Sequence, residues 1–94
     1  MTEYYERVAR SGSRVERFGV FRRAVPGSPI ADEVFNVPSQ MWQYTSKLSL
    51  GLRHLSDDDF SPITLEQARA RLAILVPASD PDEILGRPAR TPEG

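Results

Sequence analysis

The chain has 94 residues, 39% of them hydrophobic and 27% charged, which is a globular composition in a length too short for two ordinary domains. It contains no cysteine, which excludes a disulfide framework, a thiolate zinc site and a cysteine nucleophile. The first residues are charged, and no window approaches the ~18 apolar residues that cross a bilayer. We therefore expect a soluble, cytoplasmic protein without a membrane segment.

Two runs near the start of the chain predict a β-hairpin. Residues 4–10 and 14–23 are rich in aromatic and β-branched side chains, and Ser11-Gly12-Ser13 separates them. The alternation of apolar residues changes parity close to Gly19, which predicts a β-bulge at that position.

A loop and a third strand follow the hairpin. Residues 25–32 contain two prolines and a glycine, which are typical of a loop and cannot continue a central strand. Residues 33–37 have the composition of a short strand that ends at Pro38. Residues 41–44 extend this strand after a kink, unless they belong to the next helix.

The start of the first helix has two interpretations. Either Ser39 caps a long helix, or a shorter helix begins after Thr45 or Ser46. We favour the shorter helix because Gly51 within it already costs about 1 kcal/mol relative to alanine, so further length adds little. The apolar stripe that a long helix would present consists of Met41, Tyr44, Leu48, Leu52 and Leu55.

A second helix is predicted after an acidic run that ends the first one. Thr64 and Gln67 have the spacing of a capping box, and Pro77 ends the helix that they open. Residues 77–94 hold four prolines with scattered charges and one apolar pair, Ile84-Leu85, which is typical of a disordered tail.

These elements together predict an α+β fold. We expect residues 1–76 to form one small domain with an antiparallel sheet of two or three strands, built on the N-terminal hairpin. Two helices, near 46–55 and 65–76, should pack on one face of the sheet, and residues 77–94 should form a flexible Pro-rich tail. The expected core consists of Val8, Phe18, Val20, Phe35, Leu48, Leu52, Leu55, Ile63, Leu65, Ala68, Leu72 and Leu75.

The order of these features resembles a pattern in short uncharacterised proteins of high-GC bacteria, such as actinobacteria, or their phages. An aromatic start with Tyr4 and Tyr5 is followed by a hairpin, Trp42 before a Leu-rich helix, an aspartate run and the closing helix from Thr64. Eleven of the twelve basic residues are arginine, which is typical of a GC-rich coding genome. The resemblance implies a hairpin-plus-helix fold and no particular activity.

Residue chemistry gives no reason to expect catalysis, a metal ion or a cofactor. His54 is the single histidine, and the nearby acidic run from Asp57 to Asp59 lacks the spacing of a calcium-binding loop. No Gly-x-Ser-x-Gly elbow marks a serine nucleophile, and the glycines are too scattered for a phosphate-binding loop. We therefore expect a protein that is not an enzyme.

The first binding hypothesis is a protein partner or a second copy of this chain. A domain of about 75 residues has a core of marginal stability and often depends on an interface. Trp and Tyr are frequent interface anchors, and a helical turn capped by Asp80 would present an apolar pair to a groove. The candidate contact residues are Met41, Trp42, Tyr44, Ile84 and Leu85.

The alternative partner is nucleic acid. The first hairpin interleaves arginines with aromatic residues, as a sheet that stacks bases and contacts phosphates would. The candidate residues are Arg14, Arg17, Arg22 and Arg23. Neither alternative implies a small-molecule cofactor or a membrane.

Overall fold

A computed structural model describes residues 2–23, 32–53, 59–87 and 89–90. The described residues form six strands and three short helices. In chain order these elements are β1 (Glu3–Ser11), β2 (Arg14–Arg23), β3 (Asp32–Asn36), β4 (Met41–Tyr44), α1 (Lys47–Leu52), β5 (Asp59–Ile63), α2 (Leu65–Leu75), α3 (Pro81–Leu85) and β6 (Ala89–Arg90).

All six strands belong to one sheet in the order β5-β1-β2-β3-β4-β6. Strands β1 to β5 pair antiparallel to their neighbours, whereas β6 runs parallel to β4. The prediction of a two- or three-stranded sheet was wrong, and the α+β class fits only loosely because the sheet dominates. The prediction failed because Pro62 obscured β5 and the prolines around residues 77–92 obscured β6. Proline is tolerated in β5 because that strand lies at the edge of the sheet.

The predicted hairpin and its bulge are confirmed. Strands β1 and β2 pair from Glu3↔Arg23 to Ser11↔Arg14, with an irregularity opposite Glu6. Gly19 has a φ of +76° at this irregularity, and Gly12 has a φ of +60° in the turn. Both angles lie in the left-handed region, where a residue without Cβ carries no steric penalty.

We expect Gly19→Ala to destabilise the protein more than Gly12→Ala. Each alanine would adopt a left-handed conformation at a cost of about 1–2 kcal/mol. At Gly19 the new Cβ would also lie 3.3 Å from Cε1 of Phe21, whereas at Gly12 nothing lies within 4 Å. Urea denaturation of both variants measures the difference. Equal midpoints for the two would show that Phe21 moves aside without cost.

Residues around Trp42 form a strand and not the start of a helix. Phe35 pairs with Trp42 across β3 and β4, and α1 begins after Ser46. This confirms the shorter helix. The turn before β4 places Gln40 at a φ of +55°.

Helix α2 begins as the sequence predicts. Thr64 Oγ1 accepts from the backbone N–H of Gln67, and Gln67 Oε1 accepts from the backbone N–H of Thr64, which completes the capping box. Ala68 and Leu72 point into the core. Leu65, predicted to be buried, is instead 48% exposed at the first turn.

The helices cover both faces of the sheet, so the prediction that they share one face was wrong. Helix α2 contacts β1, β2 and α3, and its buried residues belong to a cluster with Val20, Phe35 and Ile84. Helix α1 contacts β3 and β5, and its fully buried Leu48 is not part of that cluster. Strands β3 and β5 flank the β1–β2 pair that α2 covers, so α1 contacts both of them from the opposite face.

The predicted disordered tail was wrong for residues 79–87. Asp80 caps α3 with Pro81 at the first turn, and Ile84 is fully buried. Arg87 Nη1 donates to the carbonyl of Gln40 at 2.9 Å. The local cap was evident from the sequence, but burial of the apolar pair depends on strands far away along the chain. Residues 91–94 lie outside the described residues.

The observed core differs from the expected one at its centre. Val8, Val20, Phe35, Leu48, Ala68 and Leu72 are buried as expected, and Leu52, Ile63 and Leu75 are partly buried. Leu55 and the side chain of Phe18 lie outside the described part of the structure. The buried hydrophobic residues that the sequence did not indicate are Phe21, Trp42, Val76 and Ile84.

Candidate functional site

The residues predicted to bind a protein partner are divided between the core and the surface. Trp42 and Ile84 are fully buried, and Trp42 Nε1 donates to the carbonyl of Ile84 at 2.8 Å. Met41 and Leu85 are partly buried, and Tyr44 is 44% exposed. Since Trp42 and Ile84 bind each other, neither presents a surface to a partner in this fold.

Arg22, a candidate for nucleic-acid contact, joins the C-terminal segment to the sheet. Its Nε donates to Glu33 Oε1 at 2.6 Å, and both side chains are buried. Its Nη atoms donate to the carbonyls of Leu85 and Arg87 at 3.0 and 2.7 Å. The guanidinium also lies 4.0 Å from the centroid of the Trp42 ring. These contacts use the donors that a phosphate would need.

Arg23 is occupied in a similar way. It donates to both carboxylate oxygens of Asp32, at 2.7 and 2.9 Å, and Asp32 is buried. The hydrogen bond to Asp32 raises the pKa of Arg23 further above its ordinary value. Arg14 lies exposed next to the hairpin turn, at the far end of β2 from this pair.

Arg17, the fourth hairpin arginine, belongs to a cluster centred on the buried Glu6. Arg17 Nη1 donates to Glu6 Oε1 at 2.6 Å. Arg71 of α2 places its Nε 3.1 Å from Glu6 Oε2, but the N–H is not directed at that oxygen, which accepts no hydrogen bond. One buried carboxylate therefore holds two guanidinium groups whose side chains are 45% and 40% exposed. The cluster has a net positive charge at the surface.

Two apolar side chains of α2, Ile74 and Leu75, lie beside this cluster. Ile74 is 72% exposed, the largest value among the large hydrophobic side chains that the structure describes. Ile74 and Leu75 line a shallow depression together with Arg17, Gly19 and Arg71. We call these five residues the Ile74 surface. It combines an apolar centre with guanidinium groups that retain free N–H donors, a composition typical of protein interfaces.

The sequence contained a signal for the Ile74 surface, because Ile74 lies off the apolar stripe that Leu65, Ala68, Leu72 and Leu75 form on α2. Residues two apart on a helix lie about 200° apart around its axis, so Ile74 points away from the buried Leu72. Arg71 precedes Ile74 by three residues and shares its face. An apolar residue off the buried stripe of a helix was thus the available signal.

The described residues contain no group of three or more potential metal ligands. His54, Asp57 and Asp58 lie outside those residues. No helix in the described ranges has the length and apolar character required to cross a membrane.

Comparisons with protein-family models, curated proteins and solved structures find no match to this chain. The resemblance to short proteins of high-GC bacteria or phages and the cytoplasmic location thus stay predictions. Function has to be inferred from the geometry of this fold, in which the Ile74 surface is an exposed apolar site with organised charges beside it.

Proposed function

We propose that this protein is a non-enzymatic binding module, an accessory or regulatory subunit whose protein partner docks on the Ile74 surface. The observation that carries the proposal is an isoleucine with 72% of its surface in water beside two arginines held by one buried carboxylate. Burying such a side chain contributes about 1.5–3 kcal/mol to association. Arginines that are already positioned lose less conformational entropy on binding than free ones.

The charges specify the chemistry of the partner. Arg17 and Arg71 share one carboxylate, so their positive charges are only partly compensated. Guanidinium groups bind carboxylates through paired hydrogen bonds, and an acidic surface is attracted to a basic one before contact. We therefore expect a partner segment with Asp or Glu next to an apolar side chain that covers Ile74.

Nucleic acid is a weaker candidate in this fold. Arg22 and Arg23 are engaged with Glu33 and Asp32, and their side chains are mostly buried. Phosphate contacts from the hairpin candidates would then depend on Arg14 and Arg17. Binding of nucleic acid becomes an outcome of the following test.

We expect Ile74→Asp to weaken the partner complex at least about tenfold, as loss of a central interface residue does. The substitution puts a carboxylate into the apolar centre and competes for both arginines. Tagged wild-type and variant proteins are used to retain partners from a lysate of the host, with and without nuclease treatment. The retained partner is then purified and its affinity for each form is measured by calorimetry.

Leu50→Asp is the matched control, because Leu50 is also an exposed apolar helix residue but lies on α1, across the sheet. We expect this variant to retain the partner like the wild type. Equal loss in both variants, or retention of nucleic acid alone that disappears at high salt, contradicts the proposal. Circular dichroism checks that each variant is folded.

A further inference from the structure

A second concave surface lies where β1 begins and β5 ends. Its volume is about 640 Å³, within the ~300–1,000 Å³ typical of small-molecule sites. Tyr4, Tyr5, Pro62, Ile63 and Leu65 supply most of its wall. We call it the β1–β5 cleft. It is distinct from the Ile74 surface, which lies near the other end of α2.

The cleft remains open because of its place in the sheet. Strand β5 is an edge strand, and Pro62 in it has no N–H with which to pair a further strand. Leu65 begins α2 with 48% of its surface exposed. The apolar wall of the cleft therefore faces water, at an edge of the sheet where Pro62 disfavours pairing with a further strand.

Among the described residues that line the cleft, Glu3 carries the single formal charge. Burial, and next the Glu3 carboxylate, raise the pKa of Tyr5, so its hydroxyl stays protonated at neutral pH. Arg23 lies opposite Glu3 in the strand register and acts electrostatically on both Glu3 and Tyr5, but its two hydrogen bonds go to the carboxylate of Asp32. No described cation forms an ion pair with Glu3.

This lining selects ligands by charge. A carboxylate or phosphate would be repelled by Glu3 and would find no cation among the described residues that line the cleft. An ammonium or guanidinium group would be attracted to Glu3. An apolar body attached to that cation would cover Leu65 and Pro62.

We infer that the β1–β5 cleft binds an organic cation, an ammonium or guanidinium group on an apolar body, with the cation beside Glu3. The site does not depend on the Ile74 surface and has the opposite charge. Its ligand is either a free amine or a lysine or arginine side chain next to an apolar residue.

Phenethylammonium and 3-phenylpropionate test the inference, because both carry a phenyl ring and they differ in charge. Each is titrated into the ¹⁵N-labelled protein while amide resonances are followed. We expect saturable shifts at Thr2, Tyr5, Ile63 and Leu65 with the cation, and binding of the anion at least about fivefold weaker. Equal or tighter binding of the anion, or no saturable shift at these amides with either probe, overturns the inference.

Glu3→Gln removes the charge and keeps the shape, so we expect about fivefold weaker binding of phenethylammonium. Glu66→Gln is the matched control, because Glu66 adjoins Leu65 but does not line the cleft. Wild-type affinity in Glu3→Gln, or an equal loss in Glu66→Gln, overturns the role of Glu3.

Leu65→Ala tests the apolar wall independently of Glu3. Because Leu65 is exposed, this variant also provides a test if Glu3→Gln fails to fold. We expect at least about fourfold weaker binding, the effect of one methylene contact. Unchanged affinity overturns the assignment of the apolar body to this wall. Acetyl-Phe-Lys-amide distinguishes the two sources of the cation. Tighter binding of this peptide than of phenethylammonium supports a protein side chain as the ligand, and weaker binding supports a free amine.

Discussion

Trp42→Ala should unfold most of the protein at 25 °C. The substitution removes a fully buried indole whose ring packs edge-to-face against Phe35 with centroids 5.4 Å apart. Truncation of a buried aromatic residue costs about 3–5 kcal/mol, close to the whole stability expected of a domain this small. Urea denaturation followed by far-ultraviolet circular dichroism measures the loss without depending on tryptophan fluorescence.

Tyr44→Ala provides the control for Trp42→Ala. Tyr44 is an aromatic residue on the same strand and the same face, but it is 44% exposed. We expect it to cost less than about 1 kcal/mol, in keeping with substitutions outside the core. Equal denaturation midpoints for the two variants would show that the indole is not central to the core.

Trp42→Phe separates the ring from its hydrogen bond. Phenylalanine fills much of the same space but removes the indole donor to the carbonyl of Ile84, which still accepts from the backbone N–H of Arg87 at 3.1 Å. Loss of one hydrogen bond costs about 0.5–1.5 kcal/mol, so this variant should fall between wild type and Trp42→Ala. Trp42→Ala therefore tests folding, and loss of a partner in that variant would not identify an interface.

Arg22→Met should destabilise the protein by about 3–5 kcal/mol, because removal of one member of a buried ion pair leaves the other charge uncompensated. Glu33 would be left buried without its cation, and the carbonyls of Leu85 and Arg87 would lose their donors. Urea denaturation measures the stability. Hydrogen exchange should show faster exchange of the amides of α3, because Arg22 holds that segment to the sheet.

Two further variants test this account of Arg22. Arg22→Met with Glu33→Met removes both charges and should recover part of the lost stability, because no charge remains buried alone. Arg69→Ala breaks an exposed pair with Asp82 and should cost less than about 1 kcal/mol. A double variant less stable than Arg22→Met would contradict the view that uncompensated charge causes the loss.

Features that depend on neighbouring residues were predictable. The bulge needed a glycine at the change of parity, and Gly19 has the left-handed φ that only glycine adopts freely. The capping box joins Thr64 to Gln67 within one turn. Asp80 and Pro81 begin α3 by the same local chemistry. In each case the interacting groups lie within a few residues, so the sequence alone indicates the structure.

The C-terminal segment shows why local composition misled. Residues 77–94 have few apolar side chains, which is typical of disorder when the segment is considered alone. Its stabilising partners lie far away along the chain: Trp42 precedes Ile84 by 42 residues, and Arg22 precedes Leu85 by 63. The apolar pair expected to bind another protein instead completes the core of its own sheet.

The candidate sites in the structure differ from those predicted from the sequence for a similar reason. The sequence indicated a small domain with an Arg-rich hairpin, because residue types and alternation are local properties. Strand register then decided that Arg22 lies opposite Glu33 and Arg23 opposite Asp32, which removes two arginines from the surface. Packing of α2 on the sheet decided that Arg17 and Arg71 share Glu6 and that Ile74 stays in water. Only the tertiary structure determines these outcomes, because burial and charge compensation depend on residues that are distant in sequence.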